Sequence, residues 1–346
     1  MTKPTIVSIY SGLGGIDIGF EKAGFKSVHT SDIWQLSCDS LASNIKDVDV
    51  VCEDIEKIDF KSIKKKHKKI HGLVGGPPCP PFSKSRFYIK EKKRGIEDLD
   101  GFKTLTEYFR ALEELSPDFF FFENVHGFVF KPHQSSFDLL KSESDRLGYK
   151  IFFDVVNAAD YGIPQTRQRF ICIGIKKKMK DFIYPRKTHS DPKNHKANTK
   201  DWVTCGDILN DIDFDLPEDK KMQAGSKHKD LLKQVPPGDN YLFFTSKRGH
   251  PKPQFKWRSR YWSFLLKLSP KRPSWTIQAS HSNNMGPFHW KNRFLRISEI
   301  KRIQTFDDKV VIHGSYKDQW RQVGNAVPPK LSYIFAKDLY QYYYDK

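Results

Sequence analysis

Short apolar runs recur along the first half of the chain, each broken by turn residues and several followed by apolar positions at helical spacing. Thr5 to Tyr10 is β-rich and breaks at Ser11-Gly12-Leu13-Gly14-Gly15, after which Ile16, Gly19 and Phe20 continue with a helical period. Lys26 to Ser31 and Val48 to Cys52 read as second and third strands, closed by Asp32 and by Glu53-Asp54-Ile55. Ile70 to Val74 reads as a fourth, opening into Gly75-Gly76-Pro77-Pro78-Cys79-Pro80-Pro81-Phe82-Ser83. Leu105, Phe109 and Leu112 form a helical stripe. Pro117 then introduces the wholly apolar strand Phe119 to Phe122, which ends in Glu123-Asn124-Val125. His133 to Leu147 reads as a helix stopped by Gly148. Tyr149 to Val156 and Phe170 to Ile175 are strands on either side of Gln165-Thr166-Arg167-Gln168-Arg169. Strand and helix signals in this order predict a doubly wound, Rossmann-like α/β domain.

The pattern weakens between Ile183 and His289, where Lys, Pro, Asn, His and Trp are frequent. Such a stretch makes a poor core and a good recognition surface. Regularity returns at Arg293 to Glu299, with Ile300, Ile303 and Phe306 at helical spacing. Gln322-Val323-Gly324-Asn325-Ala326-Val327-Pro328-Pro329 and an apolar-striped helix then end the chain. The expected division is a larger domain of residues 1–182 and 316–346, with residues 183–315 as a smaller second domain.

Charge sharpens the picture. The 346 residues carry a formal +18 with an isoelectric point near 9.5, which favours a polyanionic partner. Five scattered cysteines (Cys38, Cys52, Cys79, Cys172, Cys205) show neither zinc spacing nor a disulfide framework. With no apolar run of membrane-spanning length and no secretory signal, a reducing cytoplasm is expected. The lysine run from Ile63 to Lys69 reads as solvated surface, and the polar stretch Lys84 to Asp100 as a lid or a surface loop.

Three strand ends converge on one chemistry. A glycine turn before a helix admits a ligand to the backbone, and acids after strands two and three suit nucleoside hydroxyls and amines. A thiol on the proline-stiffened loop at Cys79, a carboxylate at the mouth of a buried strand (Glu123) and alternating arginines (Arg167, Arg169) add a nucleophile, an acid and anion-binding groups. Alternation on a strand places both guanidinium groups on one face. The glycine turn alone also permits a nicotinamide oxidoreductase, but that reading leaves the Pro-Cys loop and Gln-x-Arg-x-Arg unexplained.

Taken in order, the Pro-Cys loop, Glu-Asn-Val, Gln-x-Arg-x-Arg and Gly-Asn-x-Val-Pro-Pro resemble the DNA cytosine-5 methyltransferases, over nearly the whole chain except residues 183–289. The resemblance implies S-adenosylmethionine as methyl donor, S-adenosylhomocysteine as product and no metal, with residues 1–182 and 316–346 as the catalytic domain and 183–315 as the target-recognition domain. It places Tyr10 on the adenine, Gly12 and Gly14 near the methionine part, Asp32 on the ribose and Asp54 on the adenine amino group. It adds Leu13, Ile33, Ile55, Pro78, Asn325 and Ala326 to the cofactor's surroundings. Cys79 would be the nucleophile, Glu123 the proton donor, and Arg167 and Arg169 the groups that hold the base and steady Glu123. The partner implied is double-stranded DNA with a flipped-out cytosine, met by a monomeric bacterial enzyme beside a companion restriction endonuclease. An RNA cytosine-5 methyltransferase and a catalytically silent DNA-binding relative share parts of this pattern. Three departures stand out: Tyr10 where the family has phenylalanine, Pro80 where glutamine is commonest, and no Asp-x-Arg-Gly before the Leu105 helix.

Overall fold

The computed structural model describes residues 3–78, 99–212, 215–258 and 261–344. Its centre is a sheet of β1 (Thr5–Ile9), β2 (Lys26–Asp32), β3 (Asp49–Cys52), β4 (Gly72–Gly75), β5 (Phe119–Val125), β6 (Tyr149–Asn157) and β8 (Gln168–Lys176), with the two-residue β7 (Gln165–Thr166) lying outside it. The order is β3-β2-β1-β4-β5-β8-β6. The first five strands pair in parallel, and β8 is antiparallel to both neighbours. Strand order reverses between β1 and β4, so a crevice opens beyond their carboxyl ends, where open α/β sheets bind ligands.

Helices cover both faces, which explains the run of four phenylalanines in β5. Phe120 and Phe122 pack with Tyr108 and Leu112 of α4 (Leu99–Leu115), while Phe119 and Phe121 pack with Phe20 and Phe335 on the other face. A strand buried on both sides loses its alternation. Phe20 belongs to α1 (Gly15–Ala23) and Phe335 to α10 (Pro329–Tyr344), the helix that crosses it. Their close approach depends on small residues: a Cβ on Gly15 would lie 2.0 Å from the Val327 carbonyl oxygen, and one on Gly19 2.2 Å from Ser332 Oγ. Ser332 Oγ donates to the Gly15 carbonyl at 2.7 Å. The end of the chain thus returns to the first glycine turn.

The remaining helices of the sheet domain are α2 (Gln35–Asn44), α3 (Phe60–His67) and α5 (Gln134–Arg146). The lysine run therefore lies largely in a helix, held by the buried Phe60. Between residues 183 and 306 the structure corrects the expectation of a poor core. One cluster joins α6 (Cys205–Leu209), Leu268, Ile277 and α8 (Ile297–Ile303) to Trp320 and Val323 of α9 (Tyr316–Asn325). A second gathers Leu232 of α7 (Lys229–Gln234) with Tyr241, Phe244, Leu265 and Phe288. Two buried arginines there are paired with acids: Arg293 donates twice to Glu299, at 2.9 and 2.7 Å, and Arg296 pairs with Asp219.

Candidate active site

The predicted nucleoside ligands gather on one rim of the sheet. Tyr10 follows β1 with φ of 56°, its hydroxyl donating to the Thr104 carbonyl at 2.7 Å. Gly12, at φ of 54°, has no atom within 4 Å of where a Cβ would stand, so the turn leaves open space in front of its backbone. Asp32 ends β2 and accepts the Gly12 N–H at 2.8 Å on Oδ2 and the Trp34 N–H at 2.9 Å on Oδ1. Burial raises its pKa, opposed by those two N–H groups. Asp54 accepts the Glu56 N–H at 3.2 Å and Lys103 Nζ at 3.2 Å, and these contacts, the N–H first, lower its pKa. Ile33, next to Asp32 in the chain, is 71% exposed, whereas Leu13 and Ile55 are buried in the hydrophobic core. Pro78 is exposed at the end of β4's loop, as is Asn325 at the end of α9. Ala326 is buried, with its carbonyl accepting Arg167 Nη2 at 3.0 Å. Open space before Gly12 and acids on adjacent strand ends fit an adenosyl cofactor.

The chemistry-bearing groups lie next to this rim. Glu123, at the end of β5, is 5% exposed, and its Oε1 accepts Arg169 Nε at 2.8 Å. Burial raises its pKa, with Arg169 and then Arg167 acting in the opposite direction. A Cβ on Gly76 would stand 2.9 Å from Glu123 Oε2 and 3.2 Å from the Glu123 carbonyl oxygen, so the loop passes close against the acid. Asn124 Nδ2 donates to the Pro77 carbonyl at 3.2 Å, tethering the same loop. Asn124 is a site residue that sequence reasoning missed, although it stood inside the quoted Glu-Asn-Val. Cys79, three residues beyond Gly76, lies outside the described residues, as does nearly all of the Lys84 to Asp100 stretch.

The two arginines do not share one task. Arg169 meets Glu123. Arg167 is buried, and its guanidinium donates to the carbonyls of Ile277 at 3.0 Å, Gly324 at 3.1 Å and Ala326 at 3.0 Å. It sits outside β8, in the break before Gln168, so strict strand alternation does not apply to it. Its hydrogen bonds join the sheet domain to the insertion and to the end of α9, and its effect on Glu123 is through charge.

An open sheet with this order, a glycine turn after its first strand and acids after the next two is the architecture of the S-adenosylmethionine-dependent methyltransferases. Solved structures share the architecture. The S. pombe Dnmt2 methyltransferase superimposes with a TM-score of 0.65 at 15% identity, covering 98% of each chain, and the Entamoeba histolytica methyltransferase EhMeth with 0.61 at 16%, covering 100% of this chain and 99% of that one. The model of the C-5 cytosine-specific DNA methylases matches residues 4–341, and the chain belongs to that family. It is 35% identical to the Type II methyltransferase M.SacI of Streptomyces achromogenes, over 96% of this chain and 92% of that protein. With M.NgoFVII of Neisseria gonorrhoeae the identity is 29%, over 97% and 86%. The protein is a DNA cytosine-5 methyltransferase with S-adenosylmethionine as methyl donor. Among the described residues, no group of three or more His, Cys, Asp or Glu side chains is placed to hold a metal ion, and no helix is long and apolar enough to cross a membrane.

Proposed function

We propose that the protein methylates carbon 5 of a cytosine flipped out of a specific duplex sequence, through a covalent bond from Cys79 to carbon 6. The observation that carries this reading is the buried Glu123 carboxyl, paired with Arg169 and lying against Gly76 at the root of the Cys79 loop. Addition of a thiolate to carbon 6 breaks the ring's aromaticity and makes carbon 5 enamine-like. Charge then develops at ring nitrogen 3, where a carboxyl kept protonated by burial donates a proton or a strong hydrogen bond. Arg169 orients that carboxyl and faces the base's exocyclic oxygen. The bound cofactor supplies an electrophilic methyl group on its sulfonium. Loss of the carbon-5 proton and expulsion of Cys79 restore the aromatic base.

Asp32 and Asp54 hold the ribose and the adenine amino group, Tyr10 and Ile33 flank the adenine, and the backbone from Gly12 to Gly14 meets the methionine part with Asn325 and Ala326. A nucleophile cannot reach carbon 6 of a base stacked inside a duplex, so the cytosine leaves the stack and residues 183–315 hold the DNA. Arg167 fixes how that insertion meets the sheet domain. The cellular role is protection of host DNA against a companion endonuclease that cuts the same sequence, with the enzyme acting as a cytoplasmic monomer.

A duplex with 5-fluorocytosine at the target tests the mechanism, because fluorine cannot leave as a cation and elimination stalls. Bisulfite sequencing of DNA from an expressing host first locates the target. A denaturation-resistant adduct should then form only with S-adenosylmethionine present and map to Cys79, and Cys79→Ser should abolish it. An adduct at another cysteine, full turnover by Cys79→Ser, or methylation of tRNA in place of duplex DNA would each defeat this reading.

A further inference from the structure

The mouth of the nucleoside crevice carries an aromatic–cation pair that the chemistry above does not use. Trp34 stands two residues beyond Asp32, and its backbone N–H holds Asp32 Oδ1 at 2.9 Å. The guanidinium of Arg321 lies over its indole, 4.6 Å from the ring centroid. Arg321 belongs to α9, one turn before Asn325, so both exposed side chains lie on one face of that helix. Beneath the pair, α2 and α9 are joined directly. Ser40 Oγ donates to Gln322 Oε1 at 2.7 Å, the His313 N–H donates to Ser40 Oγ at 3.0 Å, and Gln322 Nε2 donates to the His313 carbonyl at 2.8 Å. The corner that carries Asp32 and the helix that carries Asn325 are therefore one frame, with the Trp34–Arg321 stack on its outer side.

We infer that Trp34 and Arg321 form a cation–π latch that sets the affinity of this crevice for the adenosine part of its cofactor, acting as positioning residues through Asp32. The inference rests on reading Asp32 as the ribose ligand. An ionised carboxylate accepts ribose hydroxyls better than a neutral one, and burial drives Asp32 towards neutrality while the Arg321 charge opposes that drift. Trp34 contributes twice: its amide aims the carboxylate, and its ring holds the guanidinium near it. A cation over an indole is a directional contact, so lysine or phenylalanine should replace each partner only in part.

Titration calorimetry with S-adenosylhomocysteine tests the latch. Arg321→Ala and Trp34→Ala should each bind roughly fivefold more weakly, the size expected of one such contact. The double variant should lose no more than the worse single one, because both changes remove the same contact. Arg321→Lys and Trp34→Phe should recover part of the loss, and in turnover the KM for S-adenosylmethionine should rise in step with the dissociation constants. Should an alanine variant fail to fold, the Lys and Phe variants decide: each should bind measurably more weakly, and their combination no worse than the weaker of the two. Binding at wild-type strength, additive losses, or no recovery by the conservative variants would overturn the latch. A wild-type protein that did not bind S-adenosylhomocysteine would overturn the cofactor reading itself.

Discussion

Arg169 Nε stands 2.8 Å from Glu123 Oε1, with both side chains almost withdrawn from solvent. The pair holds the acid between two tendencies. Burial pushes the carboxyl towards its protonated form, and the guanidinium pulls it towards the ionised form. A proton donor that must also release its proton needs both. Glu123→Gln keeps the shape and removes the proton, so turnover should fall about 10²- to 10⁴-fold, the usual weight of a general acid. Single-turnover methylation of duplex DNA measures this, and near-normal rates would remove Glu123 from its role.

Removing the cation alone has a different signature. In Arg169→Ala only the Arg167 charge still opposes burial, so the Glu123 pKa should rise further and the alkaline limb of the rate profile should move to higher pH. The maximal rate should fall at the same time, because the carboxyl is no longer oriented. A pH–rate profile whose alkaline limb stayed in place would mean that it reports some other group.

Arg167 should behave as a joint. Arg167→Ala takes this donor from the carbonyls of Ile277, Gly324 and Ala326, the last of which keeps Gln304 Nε2 at 3.4 Å, and a buried carbonyl left unpaired costs about 1–3 kcal/mol. Its main effect should be a markedly lower unfolding temperature, with weakened binding of both cofactor and DNA. A variant of normal stability that had lost only turnover would place Arg167 in the chemistry instead.

These arginines show where the sequence was legible and where it stopped. The β5 phenylalanines announced a doubly buried strand, and Glu123 at its end was recognisable because an acid there needs a function or a partner. Arg167 shares a motif with Arg169, but the carbonyls its guanidinium holds lie 110 to 159 residues further along the chain, beyond any local pattern. The insertion hid its cores for a related reason. Leu232 comes from the six-residue α7, and Tyr241, Phe244, Leu265 and Phe288 from short turns and isolated bridges, so no sustained helical or strand period marks them. The helix at Phe60–His67 was equally silent, because Phe60 is its only buried side chain.

Charge and the insertion make separable contributions to DNA binding. The formal +18 predicts that affinity falls steeply with salt, log K dropping about 0.9 per neutralised phosphate per log unit of salt. Replacing residues 183–290 with those of a relative should change which sequence is methylated and leave the reaction intact. An active chimera with the original specificity would locate recognition outside the insertion.

Asp17 offers a test in which protonation and stability are linked. Its carboxyl is fully buried in the first turn of α1, behind the glycine turn. Oδ2 accepts Ser8 Oγ at 3.0 Å, and Oδ1 has no hydrogen-bond partner among the described residues. Burial raises its pKa from 3.8 to about 7, the hydrogen bond from Ser8 offsetting part of the rise. Between those values the folded protein holds a proton that the unfolded chain has released. The stabilisation is therefore complete below pH 4 and is lost as pH rises towards about 7. Asp17→Asn cannot ionise, so it should unfold at a higher temperature than the wild type at pH 8, with a smaller advantage at pH 5. The difference at pH 8 should be on the order of 1–4 kcal/mol, from the shift of a single buried carboxyl. Thermal unfolding curves across that range measure the effect. A constant offset between the two proteins would show that Asp17 does not titrate there and that the hydrogen bond from Ser8 keeps it ionised.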